Sequence, residues 1–260
     1  MFEPIRDLAG ARILVTNDDG IDAPGLKVLE RVAKDLGGDV WVVAPESEQS
    51  SVAHSLTVRR PLRIRQVSRR RFAIDGTPSD CVLLAIRQIM GASRPQLLLS
   101  GVNPGSNMGE DVTYSGTVAA AMEGTLLGVP SIALSQESNR KDAVRWSTVE
   151  HWAERVIRAV VAVGWPKNVL INVNFPNRPH GLVQGIQVAR QGKRLDPDPL
   201  TERVDPRGQT YYWIGGQRGD DAGQPGTDLE AIAQGKVAVT PLCVDFTDRT
   251  AMDRLAEALG

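Results

Sequence analysis

Short apolar runs alternate with amphipathic helical stretches through the first two thirds of the chain. Strands that are apolar on both faces and separated by helices form a parallel sheet with helices on each side. The alternation therefore predicts an α/β fold with a mostly parallel sheet. The predicted strands are residues 11–16, 39–45, 95–101, 129–135 and 168–175. The predicted helices run from Pro24 to Gly37 and over residues 78–90, 115–127 and 141–163.

The sequence changes character after about residue 190. Residues 190–216 are polar, contain several prolines and glycines, and include the aromatic run Tyr211 to Trp213. This composition predicts a hairpin or extended arm that packs on another subunit. A short helix near 228–233, a strand near 237–240 and a helix over 251–259 are expected to follow. We predict a single domain over residues 1–260, with its core at about 10–190, an oligomerisation arm at about 190–235 and a C-terminal strand and helix at about 236–260.

Composition excludes several classes of protein. The formal net charge is −1 and aromatic residues make up only 5% of the 260 residues, so specific nucleic-acid binding is not expected. The two cysteines, Cys81 and Cys243, form no CxxC motif, which favours a reducing compartment. No apolar run approaches the length of a membrane span, and the first ten residues do not resemble a signal peptide. We therefore predict a cytoplasmic protein that does not enter a membrane.

An arginine-rich segment covers residues 59–71 and contains seven arginines. One interpretation is a pair of strands whose charged outer faces are solvated. The other is a rim that attracts anions to a nearby site. The sequence alone leaves both open.

Two adjacent carboxylates follow the first predicted strand. Asn17, Asp18 and Asp19 come directly after an apolar run, and ligands of open parallel sheets bind outside the carboxyl ends of the strands. Neighbouring carboxylates repel each other unless a cation lies between them or one is protonated. Oxygen ligands without paired histidines suit Mg²⁺ or Mn²⁺ rather than zinc. The alternative is that the two aspartates form only a helix N-cap and a turn.

A glycine-rich loop over residues 100–111 follows the third predicted strand. It offers the amides of Asn103 and Asn107, and its glycines allow backbone N–H groups to approach a ligand. The next helix is predicted to begin at about Ser115, where free N–H groups and the helix dipole attract anions. The alternative is that Ser115 or Thr117 is an ordinary helix cap. The same two interpretations apply to the helix start within residues 76–81.

Together, a cation site and an anion site at one sheet edge predict metal-assisted hydrolysis of a phosphomonoester. A bound ion lowers the pKa of a coordinated water, which then serves as the nucleophile, while N–H groups hold the phosphate. Dinucleotide-binding, Walker-type and nucleophile-elbow motifs are not found in the sequence.

Two other classes of protein also place acidic residues after a first strand. A signalling receiver needs a phospho-acceptor aspartate on a later strand, but the third and fifth predicted strands end near Ser100 and Asn174. A phosphatase with an aspartyl nucleophile carries an aspartate where this chain has Asn17, and an amide cannot form the phosphoenzyme. Such a mechanism would need the nucleophile shifted to Asp18.

A series of motifs resembles the survival protein SurE family of nucleotidases over nearly the whole chain. The motifs are "ILVTNDDGIDAPGL", "VVAPESEQSSVAHSLT", "IDGTPSDCV", "LLLSGVNPGSNMGEDVTYSGTVAAAMEG", "PSIALS", "INVNFPN", "DPRGQTYYWIGG" and "TDLEAIAQGKVAVTPL". The resemblance implies a Rossmann-like α/β fold and hydrolysis of nucleoside 5′- and 3′-monophosphates, with short polyphosphate as a further substrate. It also implies one Mg²⁺ or Mn²⁺ ion per subunit, and a homodimer or homotetramer with exchanged C-terminal segments.

The resemblance assigns roles to particular residues. It implies that Asp18, Asp19, Ser50 and Asn103 are the metal ligands, although Ser50 cannot be distinguished from its neighbouring serines by composition or spacing. Asn107, Ser115, Gly116 and Thr117 are implied as the phosphate pocket, and Asp18, Asp19, Asn103 and Asn107 as the catalytic set. The chain departs from the family pattern at Ala53, where relatives often have glycine, and at Pro104, where many have arginine or alanine.

Overall fold

A computed structural model of the protein describes residues 1–138, 143–194, 200–214 and 223–260. The strands of the described residues are β1 (Arg12–Thr16), β2 (Asp39–Pro45), β3 (Ile64–Ser68), β4 (Arg71–Ile74), β5 (Leu97–Pro104), β6 (Ser131–Gln136), β7 (Val169–Phe175), β8 (Ile186–Val188), β9 (Leu200–Val204), β10 (Thr210–Ile214) and β11 (Val237–Cys243). The α-helices are α1 (Pro24–Asp35), α2 (Pro78–Leu84), α3 (Gly116–Leu126), α4 (Trp146–Val161), α5 (Asp228–Ala233) and α6 (Arg249–Leu259).

The central sheet has nine strands in the order β3-β4-β2-β1-β5-β6-β7-β11-β8. The six strands from β4 to β7 in this order run parallel to one another, while β3 and β11 run antiparallel to their neighbours β4 and β7. The predicted mostly parallel sheet is therefore confirmed. Because β1 and β5 are adjacent, with Thr16 opposite Ser100, the segments after these strands leave the sheet at the same edge.

Helices cover both faces of the sheet. Alternate side chains of β1 point in opposite directions, so Ile13 packs in one apolar cluster with α1 and α4, and Leu14 packs in another with α2 and α3. Helix α1 begins at Pro24 as predicted, and its apolar stripe faces the first cluster. The flanked, parallel sheet is the expected α/β architecture.

Element boundaries differ from the sequence prediction in places. Strand β5 extends to Pro104, so Asn103 lies at the end of a strand rather than in a loop. Helix α4 begins at Trp146, later than predicted, and residues 139–142 lie outside the described part. Helix α2 ends at Leu84 and continues as a π-helical turn over Ala85–Ile89. The short strand β8 was not predicted from the sequence.

The arm forms a separate two-stranded antiparallel sheet of β9 and β10, which confirms the hairpin prediction for residues 200–214. Residues 195–199 and 215–222 of the predicted arm lie outside the described residues. Strand β10 exposes all of its side chains, three of them aromatic. Helix α6 is amphipathic, and within the described chain it buries none of its side chains.

The arginine-rich segment contains the antiparallel strands β3 and β4, and every residue of β3 is exposed. Five of its seven arginines form ion pairs with acidic side chains. The pairs are Arg60 and Arg63 with Asp75, Arg65 with Glu46, Arg70 with Asp39, and Arg71 with Glu30. This pairing favours the interpretation as solvated strands over that of an anion-attracting rim.

Candidate active site

Asp18 lies where β1 ends and helix α3 begins its first turn. The hydroxyl of Thr117 donates a hydrogen bond to Asp18 Oδ1 at 2.5 Å, and the carboxyl group is almost fully buried. A Cβ atom at Gly116 would lie 2.7 Å from Asp18 Cβ and 2.8 Å from Oδ2. The N-terminus of α3 can approach the aspartate this closely because residue 116 has no side chain.

Asp19 is half-buried beside Asp18, and one of its carboxylate oxygens is the atom that most favours a bound cation. Its Oδ2 is buried without a hydrogen-bond partner in the described part of the chain. Burial, followed by the charges of Asp18 and Glu48, raises the pKa of Asp19 to about 7. Burial also raises the pKa of Asp18, although the bonds from Thr117 oppose this effect. Two such carboxyl groups tolerate each other only with a proton or a cation.

The interpretation of the aspartate pair as a helix cap is wrong. Ala23 occupies the N-cap position of α1, and among the described residues no side chain caps that helix. Asn17 instead closes the turn: its Nδ2 donates to the Gly20 carbonyl oxygen at 3.1 Å, and its Oδ1 accepts from the Gly20 N–H at 3.3 Å. Asp18 and Asp19 are therefore presented at the sheet edge without a role in capping.

Ser50 is brought to the aspartates by the loop that follows β2. The N–H of Gln49 donates to the Asp18 carbonyl oxygen at 2.7 Å, so the loop is attached to the end of β1. The Ser50 hydroxyl is exposed and donates to Glu48 Oε1 at 2.8 Å. A serine whose proton is held by a carboxylate keeps its lone pairs for a cation.

The C-terminal end of the same loop contacts helix α3 and the residue Tyr114 just before it. The Ala53 N–H donates to the Tyr114 carbonyl oxygen at 3.2 Å, and His54 Nε2 lies 2.8 Å from the nearly buried Glu123. Ala53 has φ = +53°, the left-handed region that glycine adopts without strain. Glycine would adopt this conformation at lower cost than Ala53 does.

Asn103 and Asn107 lie on either side of the turn after β5. Asn103 Nδ2 donates to the Gly105 carbonyl oxygen at 2.8 Å, which leaves its side-chain oxygen as the atom available to a cation. Asn107 is buried, and its Nδ2 donates to Ser135 Oγ at 2.9 Å. Pro104 is exposed beside Asn103.

Side chains cap the N-termini of both α2 and α3. Ser115 Oγ accepts the N–H of Val118 at 3.1 Å, so this hydroxyl caps α3 as in the simpler of the two predictions. Thr117 is bonded to Asp18 and does not face an open pocket with its hydroxyl. At α2, Thr77 and Asp80 form a capping box, which confirms the cap interpretation there.

The donor set fits a hard divalent cation. Asp18, Asp19, Ser50 and Asn103 offer only oxygen ligands, and the unpartnered Oδ2 of Asp19 is an atom that a cation would satisfy. The structure describes no group of three or more His, Cys, Asp or Glu side chains suited to a metal, so zinc-type sites are not found among these residues.

The raised pKa of Asp19 has a measurable consequence for the metal-free protein. A carboxyl whose pKa is raised on folding contributes stability that is present below its unfolded value, near 4, and lost as pH rises through about 7. In EDTA, we expect the melting temperature to fall by a few degrees between pH 5.5 and pH 8. Calorimetry would measure this, and Asp19→Asn should reduce the slope. A melting temperature that rises over this interval would contradict the assignment.

Several residues of the site were missed by the sequence analysis. They are Glu48, Ser135, Asn172, Asn174 and Asp228. A signal existed for two of them: "NVLINVNF" has asparagine at alternate positions of an otherwise apolar strand, and alternate positions share one face. Glu48 gave no signal, since its proximity to the aspartates depends on the path of the loop.

Asp228, at the start of α5, joins the site loop to the base of the arm. Its carboxylate is fully buried and accepts the N–H groups of Gly109 at 3.1 Å and Gly192 at 2.8 Å. Two residues after Gly192, the guanidinium of Arg194 forms an ion pair with Asp111 Oδ2 at 2.6 Å. The turn between Asn107 and Ser115 is therefore attached to the segment that leads into β9.

Fold and site together define an α/β protein with an acidic, oxygen-lined site at the carboxyl edge of its parallel strands. The family model described as survival protein SurE matches residues 13–197. The chain belongs to the survival protein SurE family. The resemblance seen in the sequence motifs is therefore confirmed.

Curated relatives and a solved structure match nearly the full chain. A protein of Paramagnetospirillum magneticum named 5′-nucleotidase SurE is 59% identical, with 99% of each chain covered. One of the same name from Parvibaculum lavamentivorans is 53% identical, with 96% of this chain and 91% of the relative covered. The crystal structure of the SurE protein from Aquifex aeolicus superposes with a TM-score of 0.83 at 38% identity, covering 96% of this chain and all of the other.

Proposed function

We propose that the chain is a divalent-metal-dependent 5′-nucleotidase that hydrolyses nucleoside 5′-monophosphates to nucleoside and phosphate. The curated relatives named 5′-nucleotidase SurE support the nucleotidase activity, since they match nearly the full length at more than half identity. The observation that supports the metal is the buried Oδ2 of Asp19, which lies without a partner beside a second carboxylate. Hydrolysis of nucleoside 3′-monophosphates and of short polyphosphate belongs to the same proposal.

The metal would be one Mg²⁺ or Mn²⁺ ion per subunit, held by Asp18, Asp19, Ser50 and Asn103. When bound, it would lower the pKa of a coordinated water and polarise a phosphoryl oxygen. Other residues of the chain position the proposed ligands. Thr117 and Gly116 fix the position of Asp18, and Glu48 orients the Ser50 hydroxyl.

The phosphate would be held by the side chain of Asn107 and by the N-terminal turn of α3, from Ser115 to Thr117. An amide nitrogen carries two hydrogens, and Asn107 gives one of them to Ser135. The second remains for a phosphoryl oxygen. The dipole of α3 adds a positive field at its N-terminus, so negative charge that develops on the phosphoryl group is stabilised.

A substrate panel tests this function. Phosphate release is measured for 5′- and 3′-monophosphates of the four common nucleosides, for a sugar phosphate and for short polyphosphate, each with Mg²⁺ and with Mn²⁺. We expect higher kcat/KM for nucleoside 5′-monophosphates than for the sugar phosphate, because part of the binding energy comes from the nucleoside. A panel in which no nucleotide releases phosphate with either ion would contradict the proposal.

We also propose that the protein is a homodimer or homotetramer, located in the cytoplasm, and that it binds no specific nucleic acid. Strand β10 exposes Tyr211, Tyr212, Trp213 and Ile214, and α6 exposes an apolar stripe that includes Leu255. Contiguous exposed apolar side chains on separate projecting elements are typical of subunit contacts. Within residues 1–138, 143–194, 200–214 and 223–260, no helix has the length and apolarity that a bilayer crossing requires.

Light scattering after size-exclusion chromatography measures the assembly. We expect a mass of at least twice the 28.1 kDa of the chain at micromolar concentration. Trp213→Ser combined with Leu255→Glu is expected to lower that mass, because each change removes apolar area from the contact. Val163→Ser, at an exposed apolar residue after α4, is the control. A wild-type mass of one chain at tens of micromolar would overturn the assembly.

A further inference from the structure

We propose that Asn172 and Asn174 are positioning residues that hold the peptide group of Asn107 and thereby set the place of its side chain against the phosphate. The inference rests on the proposed function. Both asparagines lie on β7, which ends at the same sheet edge as β1 and β5, and neither touches the proposed metal ligands through any described hydrogen bond.

The two asparagines share one face of β7 and are fully buried. The opposite face of the strand is apolar, with Ile171, Val173 and Phe175 in the cluster under α1 and α4. A buried amide costs free energy unless it is hydrogen-bonded, so two of them in a central strand require an explanation. Their position two residues apart brings both to the same partner.

That partner is the backbone of Asn107. Nδ2 of Asn172 donates to the Asn107 carbonyl oxygen at 2.8 Å, and Nδ2 of Asn174 donates to the same oxygen at 3.0 Å. Asn174 Oδ1 accepts the Asn107 N–H at 2.9 Å. The N–H and C=O groups of Asn107 are therefore both engaged, so the side chain is the part of this residue that can meet a phosphate.

The bond from Asn172 to Asn107 leaves the other half of the Asn172 amide buried. Asn172 Oδ1 is buried without a partner in the described part of the chain, so this side chain carries a desolvation cost for the sake of one bond to Asn107. An apolar residue of similar size would avoid that cost. The arrangement is explained if the bond to Asn107 is selected for its geometry.

The turn that carries Asn107 depends on such support. Gly101, Gly105 and Gly109 all have positive φ, at +132°, +147° and +56°, and glycine restricts the backbone least. Contacts of Asn107 with β7, and of its side chain with Ser135 on β6, fix this turn from the sheet side. A catalytic amide displaced by about 1 Å can cost about 100-fold in rate.

Asn174→Asp is the selective variant. The carboxylate keeps an oxygen for the Asn107 N–H and replaces the donor that faces the Asn107 carbonyl oxygen. We expect kcat/KM for AMP to fall about 10- to 100-fold, while Mn²⁺ affinity, measured by calorimetric titration, stays within about threefold because the metal ligands are untouched. Asn168→Asp, the same change at an exposed residue just before β7, is the matched control and should leave both quantities unchanged.

A double-mutant cycle decides whether the asparagine acts through Asn107. In the Asn107→Ala background, Asn174→Asp should lower kcat/KM by less than about threefold further. A full additional loss would overturn the positioning role, as would unchanged kcat/KM in Asn174→Asp alone, or a parallel loss of Mn²⁺ affinity. Asn174→Ala, which removes both bonds without adding charge, replaces the aspartate variant if circular dichroism shows that variant unfolded, and the same outcomes apply to it.

The outcomes separate this inference from the proposed function. If wild-type protein releases no phosphate from AMP, the proposed function fails. If Asn107→Ala is fully active, the assignment of Asn107 to the phosphate fails. If Asn107→Ala loses activity while both Asn174 variants keep it, only the positioning role fails.

Discussion

Excess EDTA is expected to abolish phosphate release from AMP, and Mn²⁺ or Mg²⁺ in excess of the chelator is expected to restore it. The proposed ligand set consists of two carboxylates, a hydroxyl and an amide, all of which bind hard cations through oxygen. Without the ion, the proposed nucleophile, a coordinated water of lowered pKa, is lost, while the proposed phosphate contacts remain. Phosphate release is measured by a colorimetric assay before and after dialysis.

Circular dichroism in EDTA provides the control for this experiment. The central sheet is held by its own backbone ladder and by two apolar clusters, so we expect the fold to persist at 25 °C without the ion. Loss of activity with an intact spectrum therefore reports on chemistry. Full turnover in EDTA would reject metal-dependent hydrolysis by this site.

Asp19→Asn is expected to lower kcat/KM for AMP by at least about 100-fold, the scale usual for removal of a preorganised electrostatic group. The change keeps the size of the side chain and removes its charge, so the half-buried position is retained. It also replaces one carboxylate oxygen by an NH₂ group that cannot bind a cation. Steady-state kinetics with Mn²⁺, together with a Mn²⁺ titration, measure both consequences.

The matched control is Asp22→Asn, at an exposed aspartate in the same loop. It removes one negative charge three residues away and should leave kcat/KM and Mn²⁺ affinity nearly unchanged. Since Asp19 repels Asp18 in the metal-free protein, Asp19→Asn is also expected to be at least as stable as the wild type in EDTA. An Asp19→Asn protein with wild-type turnover would rule out Asp19 as a ligand.

Both the parallel sheet and the position of the aspartate pair at its edge could be predicted from the sequence, for one physical reason. Apolar strands alternating with helices allow only a few arrangements, and in each of them Asp18 and Asp19 follow β1 at the carboxyl edge. Neither inference needs to know how distant segments meet. The family motifs then named Ser50, which the local pattern could not separate from Ser47, Ser51 and Ser55.

The roles of residues that depend on tertiary contacts could not be predicted from the sequence. Ser115 has the pattern of both a helix cap and a phosphate ligand, and its hydroxyl caps α3. Thr117 was expected at the phosphate, yet its hydroxyl is bonded to Asp18, which follows β1 and lies 99 residues away in sequence. Local propensity describes what a side chain can do, whereas packing decides which partner it meets.

The carboxylate of Asp228 has a practical consequence for testing whether the proposed assembly is needed for activity. This carboxylate accepts hydrogen bonds from the N–H groups of both Gly109 and Gly192. Deletion of the hairpin together with residues 190–194 would therefore remove one of the contacts that fix the turn beside Asn107. A shortened protein that lost turnover would then say little about whether neighbouring subunits are needed. Point changes on the strands of the hairpin, such as Trp213→Ser, spare residues 190–194 and therefore test the proposed assembly more directly.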